Sequence, residues 1–522
     1  MEASWLVLAF IWLAFLAIII SKTIQNRLPK QKLIPPGPKP WPIIGNLNLL
    51  IGSIPHQSLH LLSQKYEELM QLKFGSYPVL VASSPEMAEQ FLKVHDTVFA
   101  SRPALAAGKY TSYNYSNMTW APYGSYFRQA RNIYLTQIFN SKRLDSYEHI
   151  RVEEMRNFIS RLYALSGKLV LLREQLSRYS LSTITRMLLS NKYLVNQNVI
   201  IRVLGSIITL DELQGLLDQW FFLNGVINIG DWIPWLSFLD VQGYVKQMKD
   251  LYKKFERCHE YVLDDHLAKR DANGKDFVTK DIVDVLLKLS EDPNLEVKLT
   301  RDCVKGLMQD LLAGSTDTST AIVEWTFHEI IKTPHIIEKA TEELDRVIGR
   351  ERWVEENDFS KLPYIEAIIK ETLRLHPAGP LLLIPHFAIE DCNVSGYDIS
   401  KGTTVFINEW SIGRNPKYWD APEEYLPERF LGKKVDMLGQ NFALLPFGSG
   451  RMRCPGYNLG LKIVRSMLVN LLHGFNWKLH KNMRPEDVCM EEFYQFTTHP
   501  KVPLEMIIEP RLSFHLYNTT QY

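Results

Sequence analysis

Residues 447–456 read Phe-Gly-Ser-Gly-Arg-Met-Arg-Cys-Pro-Gly, and this stretch limits what the chain can fold into more than any other. Pro455 and Gly456 open an apolar helical run from about Tyr457 to His473. Cys454 is thereby presented at a helix N-terminus, ringed by backbone N–H groups. The helix dipole and a nest of N–H donors both favour an anion at that point. A thiolate held there is a soft, electron-rich ligand suited to a haem iron. The glycines let the backbone pass close to a flat macrocycle, and Arg451 and Arg453 suit its negative propionates. The plainer alternative for the decapeptide is a buried structural cysteine beside an ordinary turn.

The 522 residues are 46% hydrophobic, enough for a large core, and the formal net charge of +1 gives no sign of a nucleic-acid binder. The five cysteines are widely spaced, without a CxxC or a Cys/His cluster. Neither a disulfide framework nor a zinc site is supported, and the usage fits a reducing compartment. From Ala3 to Ile20 the chain is uncharged and apolar. As a helix this run would span about 27 Å, close to the hydrocarbon thickness of a bilayer. Lys22, Arg27, Lys30 and Lys32 follow it, whereas Glu2 is the one charged side chain before it. The positive-inside rule then keeps the body of the protein cytosolic. A cleaved signal peptide fits less well, because there is no basic leader and no small-residue cleavage site after Ile20. Residues 3–20 are thus expected to be a transmembrane anchor. Residues 21–46 form a basic and proline-rich hinge, extended and stiff over Leu33–Asn46, and residues 47–522 a catalytic domain.

Hydrophobic periodicity makes that domain mainly α with a minor β portion. Helices are expected over Leu144–Leu165, Leu176–Leu189, Val245–Lys269, Lys280–Leu289, Thr300–Lys332, Pro334–Ile348 and Lys361–Leu375. Strands are expected near Leu69–Val81 and Ile389–Phe406. Ser84 followed by Pro85 marks a capped helix start. In the long Thr300–Lys332 pattern, Ala313-Gly-Ser-Thr-Asp-Thr-Ser319 is a poor helix interior. A helix disturbed there can open a groove, and Asp317 and Thr318 can relay protons to a bound oxygen species. The plainer reading is a kinked core helix with satisfied hydroxyls. Glu371 and Arg374, at i and i+3, share a helix face, and Pro427-Glu-Arg-Phe430 supplies Arg429 to complete a Glu371/Arg374/Arg429 network.

Taken in order, the apolar leader, proline hinge, acid–alcohol helix, ExxR helix, Pro427–Phe430 and the cysteine loop resemble the cytochrome P-450 superfamily of haem-thiolate monooxygenases. Tyr113–Ser116, Thr119–Gly124, Trp410–Pro416 and Asn441–Phe447 resemble its microsomal plant members of specialised metabolism. The resemblance implies haem as cofactor with Cys454 as its proximal ligand, and Asp317 and Thr318 in oxygen activation. It places Arg131, His386, Phe447, Arg451, Arg453 and Gly456 around the haem, and Glu371, Arg374 and Arg429 in the core beside it. It further implies O2, a lipophilic substrate, electrons from NADPH through a separate flavoprotein reductase, and a single-pass anchor in the endoplasmic reticulum membrane.

Four positions depart from the family pattern. Met452 stands where arginine is usual, with Arg453 or Arg451 expected to compensate. Phe127 replaces a tryptophan and loses an N–H donor, although Arg131 remains. Ser315 replaces a glycine, and His386 stands in a place often held by a basic residue, where it would be only partly charged at neutral pH. Two aromatic stretches, Pro103–Trp120 and Leu216–Trp235, are expected to border the substrate pocket, with Ala378–Ile384 and Phe493–Thr498 as further lining. Their apolar character points to a lipophilic substrate, and the family resemblance implies a terpenoid slightly ahead of a phenolic such as a flavonoid or lignan. The rival functions are a haem-thiolate isomerase or dehydratase, and a degenerate, non-catalytic membrane haem protein.

Overall fold

In the computed structural model the described residues are Trp12, 33–190, 206–273, 278–480 and 483–517, with strand pieces at 194–195, 198–199 and 201–203. All but one residue of the expected anchor, and the basic part of the hinge, lie outside them. No helix among the described residues is long and apolar enough to cross a membrane.

Eight helices frame the site: α1 (Ser125–Ile133), α2 (Glu148–Ala164), α3 (Leu172–Leu189), α4 (Leu210–Gly225), α5 (Tyr244–Asn273), α6 (Arg301–Lys332), α7 (Pro363–Leu375) and α8 (Tyr457–Gly474). The central one is α6. Thr300 caps it by accepting from the Cys303 N–H, Asp302 lies in its first turn and Lys332 in its last, all matched to the helix dipole. Every residue from Ser319 to Ile331 is buried, as befits a helix enclosed by others. It packs most closely against α3 and α8. Trp325 and Phe327 are fully buried, and truncating either to alanine should cost about 3–5 kcal/mol.

Of the two readings of Ala313–Ser319, the core helix with satisfied hydroxyls is the one seen, for α6 is helical throughout. The threonine hydroxyls fold back on the helix. Thr316 donates to the Leu312 carbonyl at 3.1 Å, Thr318 to Gly314 at 2.9 Å and Thr320 to Thr316 at 3.0 Å. Each hydroxyl is satisfied without breaking the backbone ladder.

Strands are few. β1 (Leu69–Phe74) and β2 (Tyr77–Ala82) form a hairpin with Leu69 opposite Ala82. β3 is Leu169–Leu171, β4 is His386–Phe387 and β5 is Thr404–Ile407. β5 runs parallel to β2 (Thr404 beside Val79) and antiparallel to β4 (Val405 beside His386), giving the order β1-β2-β5-β4. This register carries His386 from the edge of the sheet to the rim of the central cavity. β6 (Phe475–Leu479), β7 (Glu492–Tyr494), β8 (Thr498–Pro500) and β9 (Glu505–Pro510) follow, and short antiparallel pairs at Leu194–Val195 with Asn198–Val199, Ile201–Val203 with Ser206–Ile208, and Cys392–Val394 with Tyr397–Ile399 stand apart from the site. β7 and β8 form a short hairpin over Tyr494–Thr498, and β9 pairs with β6 and β3.

The helix expected over 144–165 is two, Ser141–Ser146 and α2, divided at Tyr147. The aromatic stretch Leu216–Trp235 begins as the C-terminal part of α4. Thr209 and Glu212 close a reciprocal capping box there, and the Thr-x-x-Glu spacing was the available signal. Elsewhere helix ends agree with the periodicity to within a few residues. Ser84 caps its helix, accepting from Met87 N–H.

Candidate active site

The Cys454 loop begins at a tight approach of backbone to backbone. Gly448 and Gly450 have φ of +65° and +67°, the left-handed region that costs glycine nothing. A Cβ on Gly450 would also lie 2.3 Å from the Leu92 carbonyl oxygen. The Cys454 N–H donates to the Phe447 carbonyl at 2.9 Å, which closes the loop, and Gly456 caps α8. The thiol of Cys454 opens onto a large internal cavity. Its accessible surface is therefore cavity surface, although protein surrounds it. Burial pushes the free thiol upward, opposed by the Gly456 N–H and the positive fields of Arg131 and Arg453. Coordination to a cation reverses that balance and favours thiolate.

The cavity separates this loop from α6. Phe447, Cys454 and Gly456 form one wall; Ala313, Gly314, Ser315 and Thr318 face them. The cavity's volume for the centres of water-sized molecules is ≈ 270 Å³, and all of its empty space, open solvent at the mouth included, is ≈ 1700 Å³. Trp220 and Phe221 of α4, Phe496 from the β7–β8 turn, Leu383 and Phe127 make much of the remainder apolar. At the rim lies Arg102, which sequence reasoning passed over. Its Nη1 donates to the carbonyls of Ile384 at 2.7 Å and Pro385 at 3.2 Å, while its Nε–H has no partner. No carboxylate among the described residues pairs with it, and burial lowers its pKa to about 9. A buried cation without an anion is costly, so the cavity edge at Arg102 calls for a negatively charged ligand group. A soft sulfur donor on one wall, a mostly apolar lining and a guanidinium without an ion-pair partner among the described residues together fit a haem and its propionates.

Several expected site residues lie on this cavity: Thr318, His386, Phe447, Cys454 and Gly456, with the departures Phe127, Ser315 and Met452. Others do not. Arg451 pairs at 2.6 Å with Asp96 on a partly exposed face, so it is not the replacement for an arginine at 452. Arg453 donates to the Leu438 carbonyl at 3.0 Å and lies over the Tyr457 ring. Arg131 donates to the Arg453 carbonyl at 2.5 Å, bracing the cysteine loop from α1. The expected compensation by Arg451 or Arg453 is therefore corrected: both side chains are committed elsewhere, and Arg102 occupies the cationic position. His386 is corrected too. It is buried, burial and Arg102 hold its pKa down to about 3, and Nδ1 bonds the Phe99 carbonyl at 3.0 Å. It is a neutral donor, not a partial cation.

Asp317 faces away from the cavity. Its carboxylate accepts from the Thr497 hydroxyl and lies 3.0 Å from His499 Nε2, on the side of α6 turned to β8. One residue on, Thr318 points inward; the α-helix turns about 100° per residue. Glu371, Arg374 and Arg429 do come together. Arg374 Nε and Nη2 each lie 2.8 Å from the Glu371 carboxylate, and Arg429 Nε at 2.9 Å. Two acids on the lining were not anticipated. Asp310 accepts from Asn117 Nδ2 and Met118 N–H, both at 2.7 Å, and burial raises its pKa to about 6. It anchors the loop that brings Met118 and Thr119 to the cavity. Glu409 is buried with no ion-pair partner among the described residues, and burial holds its carboxyl well above the usual carboxylate range.

Of the aromatic stretches, Trp220 and Phe221 line the cavity, whereas Trp232 packs edge-on against Phe74 and Trp235 is exposed. Tyr113 bonds His259 at 2.7 Å and lies under Lys305, and Tyr110 and Tyr115 border a separate, polar hollow. Helical and loop geometry turn these rings to different sides of segments that read alike.

The Cytochrome P450 family profile matches residues 35–504, and the chain belongs to that family. It is 41% identical over 536 residues to dimethylnonatriene synthase of Zea mays, covering 100% of this chain and 99% of that protein. It is 43% identical to trimethyltridecatetraene synthase of Zea mays (93% and 90%) and 39% identical to flavonoid 3'-monooxygenase of Petunia hybrida (99% and 100%). A zebra fish cytochrome P450 solved with abiraterone shares the fold, with a TM-score of 0.72 at 22% identity, covering 88% of this chain and 99% of that one. The protein is a haem-thiolate monooxygenase whose cofactor is haem.

Proposed function

We propose that this monooxygenase oxidises a lipophilic plant terpenoid, with Cys454 as proximal haem ligand. The observation that carries the reading is the cavity between Cys454 and Thr318, walled by Trp220, Phe221, Phe496 and Leu383. Such a wall desolvates an apolar molecule and offers few polar groups to orient it. Two similar relatives are named for branched polyene products, which favours a terpenoid over the flavonoid suggested by a third.

In this reading haem supplies reductive activation of O2 and insertion of one oxygen atom. The chain's own residues hold and shield it. Arg102 and His386 would hold the propionate edge. Phe447 and Gly456 shape the sulfur's surroundings, and Arg131 and Arg453 brace the loop. Glu371, Arg374 and Arg429 stiffen the core behind it. Thr318, whose hydroxyl rests on the Gly314 carbonyl, can hold a proton near the substrate side, with Asp317 behind it. Arg451 supports the loop through Asp96. An NADPH-dependent flavoprotein reductase supplies electrons, and residues 3–20 anchor the domain of residues 47–522 to the endoplasmic reticulum membrane.

The test is a microsomal preparation incubated with NADPH, a reductase and panels of acyclic terpenoids and flavonoids. A red-shifted Soret band of the reduced carbon-monoxide complex and NADPH-dependent oxidation of terpenoids are the expected results. Turnover confined to phenolics would overturn the substrate class. Conversion without NADPH would favour an isomerase or dehydratase.

A further inference from the structure

Behind α6 runs a buried line of four charged groups that ends at Asp317. His499 Nε2 lies 3.0 Å from Asp317 Oδ2, and its Nδ1 lies 3.4 Å from Glu324 Oε2. Glu324 accepts from Arg173 Nε at 2.7 Å, and Arg173 Nη2 donates to the Pro500 carbonyl at 2.5 Å. The Asp317 and His499 side chains are 11% and 6% exposed and Glu324 is fully buried, whereas Arg173 is 26% exposed. The line thus reaches from the surface to the residue beside Thr318. A ring with a carboxylate at each nitrogen donates from both, which requires the imidazolium; the two flanking acids hold its pKa up at about 9. Asp218 of α4 faces the same group, its own carboxyl raised by burial and by Asp317.

The clamp on Asp317 comes from one short segment. Thr497 donates to its carboxylate and His499 pairs with it. Phe496, immediately before them in the β7–β8 turn, is part of the cavity wall. Backbone bonds fix the segment at both ends: the Phe496 N–H donates to the Phe221 carbonyl at 3.2 Å and the Thr498 N–H to the Ala378 carbonyl at 3.0 Å. Both acceptors belong to residues on the cavity lining. A ligand that displaces Phe496 moves a peptide segment whose next residues hold the acid.

We propose that Thr497 and His499 are positioning residues for Asp317, and that the β7–β8 turn ties the acid's orientation to occupancy of the cavity at Phe496. The proposal rests on the monooxygenase reading above and deepens it: the segment that meets the substrate also sets the acid behind Thr318.

The experiment uses the full-length haem protein in detergent micelles with a flavoprotein reductase. Thermal midpoints are measured from pH 6.5 to 9.5, and the share of NADPH electrons lost as hydrogen peroxide is measured without added substrate. Asp317, Glu324, Arg173 and Asp218 are the charged groups facing His499, and a raised histidine pKa means its stabilisation fades as pH rises towards 9. Wild type should therefore lose more of its midpoint across this range than His499→Gln. The peroxide share should rise at least two-fold in His499→Gln and in Thr497→Val, and the double variant Asp317→Asn/His499→Gln should match Asp317→Asn alone. Phe496→Ala should raise it as well. A His499→Gln protein with wild-type peroxide share overturns the positioning role, even if it is less stable. Should Phe496→Ala leave the share unchanged, the tie to the cavity wall is wrong. Absence of a thiolate-type Soret band in wild type would instead defeat the monooxygenase reading, while the pH arm still decides the His499–Asp317 pairing.

Discussion

Two buried ion networks flank the haem cavity, and they are built to different tolerances. Behind α7, Glu371 receives Arg374, Arg429 and the Leu426 N–H at 2.8–2.9 Å. The arginines spend their remaining donors on carbonyls: Arg374 on Gly413, Pro422 and Glu424, and Arg429 on Asp420, Ala421 and Glu424. Behind α6, the His499–Glu324 link is 3.4 Å and Glu324 Oε1 has no partner. A saturated network has one arrangement and rigidifies what it touches; a partly satisfied one has room to rearrange. The first suits a scaffold and the second a group that must move a proton.

Breaking the saturated network should have the largest effect. Arg374→Ala removes one of the two cations on Glu371, in a site where both side chains are 0% exposed, and leaves Arg429 as its remaining ion pair, a loss of about 3 kcal/mol. Little soluble holoprotein is expected, read as the reduced carbon-monoxide spectrum per mass of protein. Next is the cavity rim. Arg102→Leu removes the cation without an anion, and haem retention in a competition assay with apomyoglobin should fall about 10–100-fold, for a charged hydrogen bond worth about 1.5–3 kcal/mol. The fold should survive, since Arg102 has no ion pair among the described residues.

The loose network should respond mildly and with pH. With His499 raised from 6.5 to about 9, its ionised form contributes fully below pH 6.5 and loses that contribution by about pH 9. At pH 7 the linkage amounts to about 2–3 kcal/mol. The difference in thermal midpoint between wild type and His499→Gln should accordingly narrow as pH climbs from 6.5 to 9. A constant difference would mean that His499 is neutral and that the contrast between the networks is mis-drawn. Smallest should be Met452→Arg. It places a second guanidinium on a cavity lining that already holds Arg102, so haem retention should rise less than ten-fold. Adding Arg453→Met should bring no further gain, because it removes the tie to Leu438.

Much of the saturated network was legible in the chain because its members lie in short motifs: Glu371 and Arg374 one helical turn apart, and Arg429 in Pro-Glu-Arg-Phe. Cys454 was legible for the same reason, its glycines and its place before an apolar helix being local properties. Arg102 was not, since its meaning comes from a missing partner and from carbonyls 282 and 283 residues away. His499 was hidden likewise, 182 residues from Asp317 (499 less 317).

The sequence by itself determined the helical class, the long α6, the cysteine loop and the family, because periodicity, capping and motif chemistry act over a few residues. Only the tertiary structure decided which arginine meets the rim of the cavity, that His386 is neutral, and that Asp317 faces β8 while Thr318 faces the cavity. Those outcomes depend on desolvation and on partners distant in the chain, and a side chain's charge and direction are set by everything folded around it.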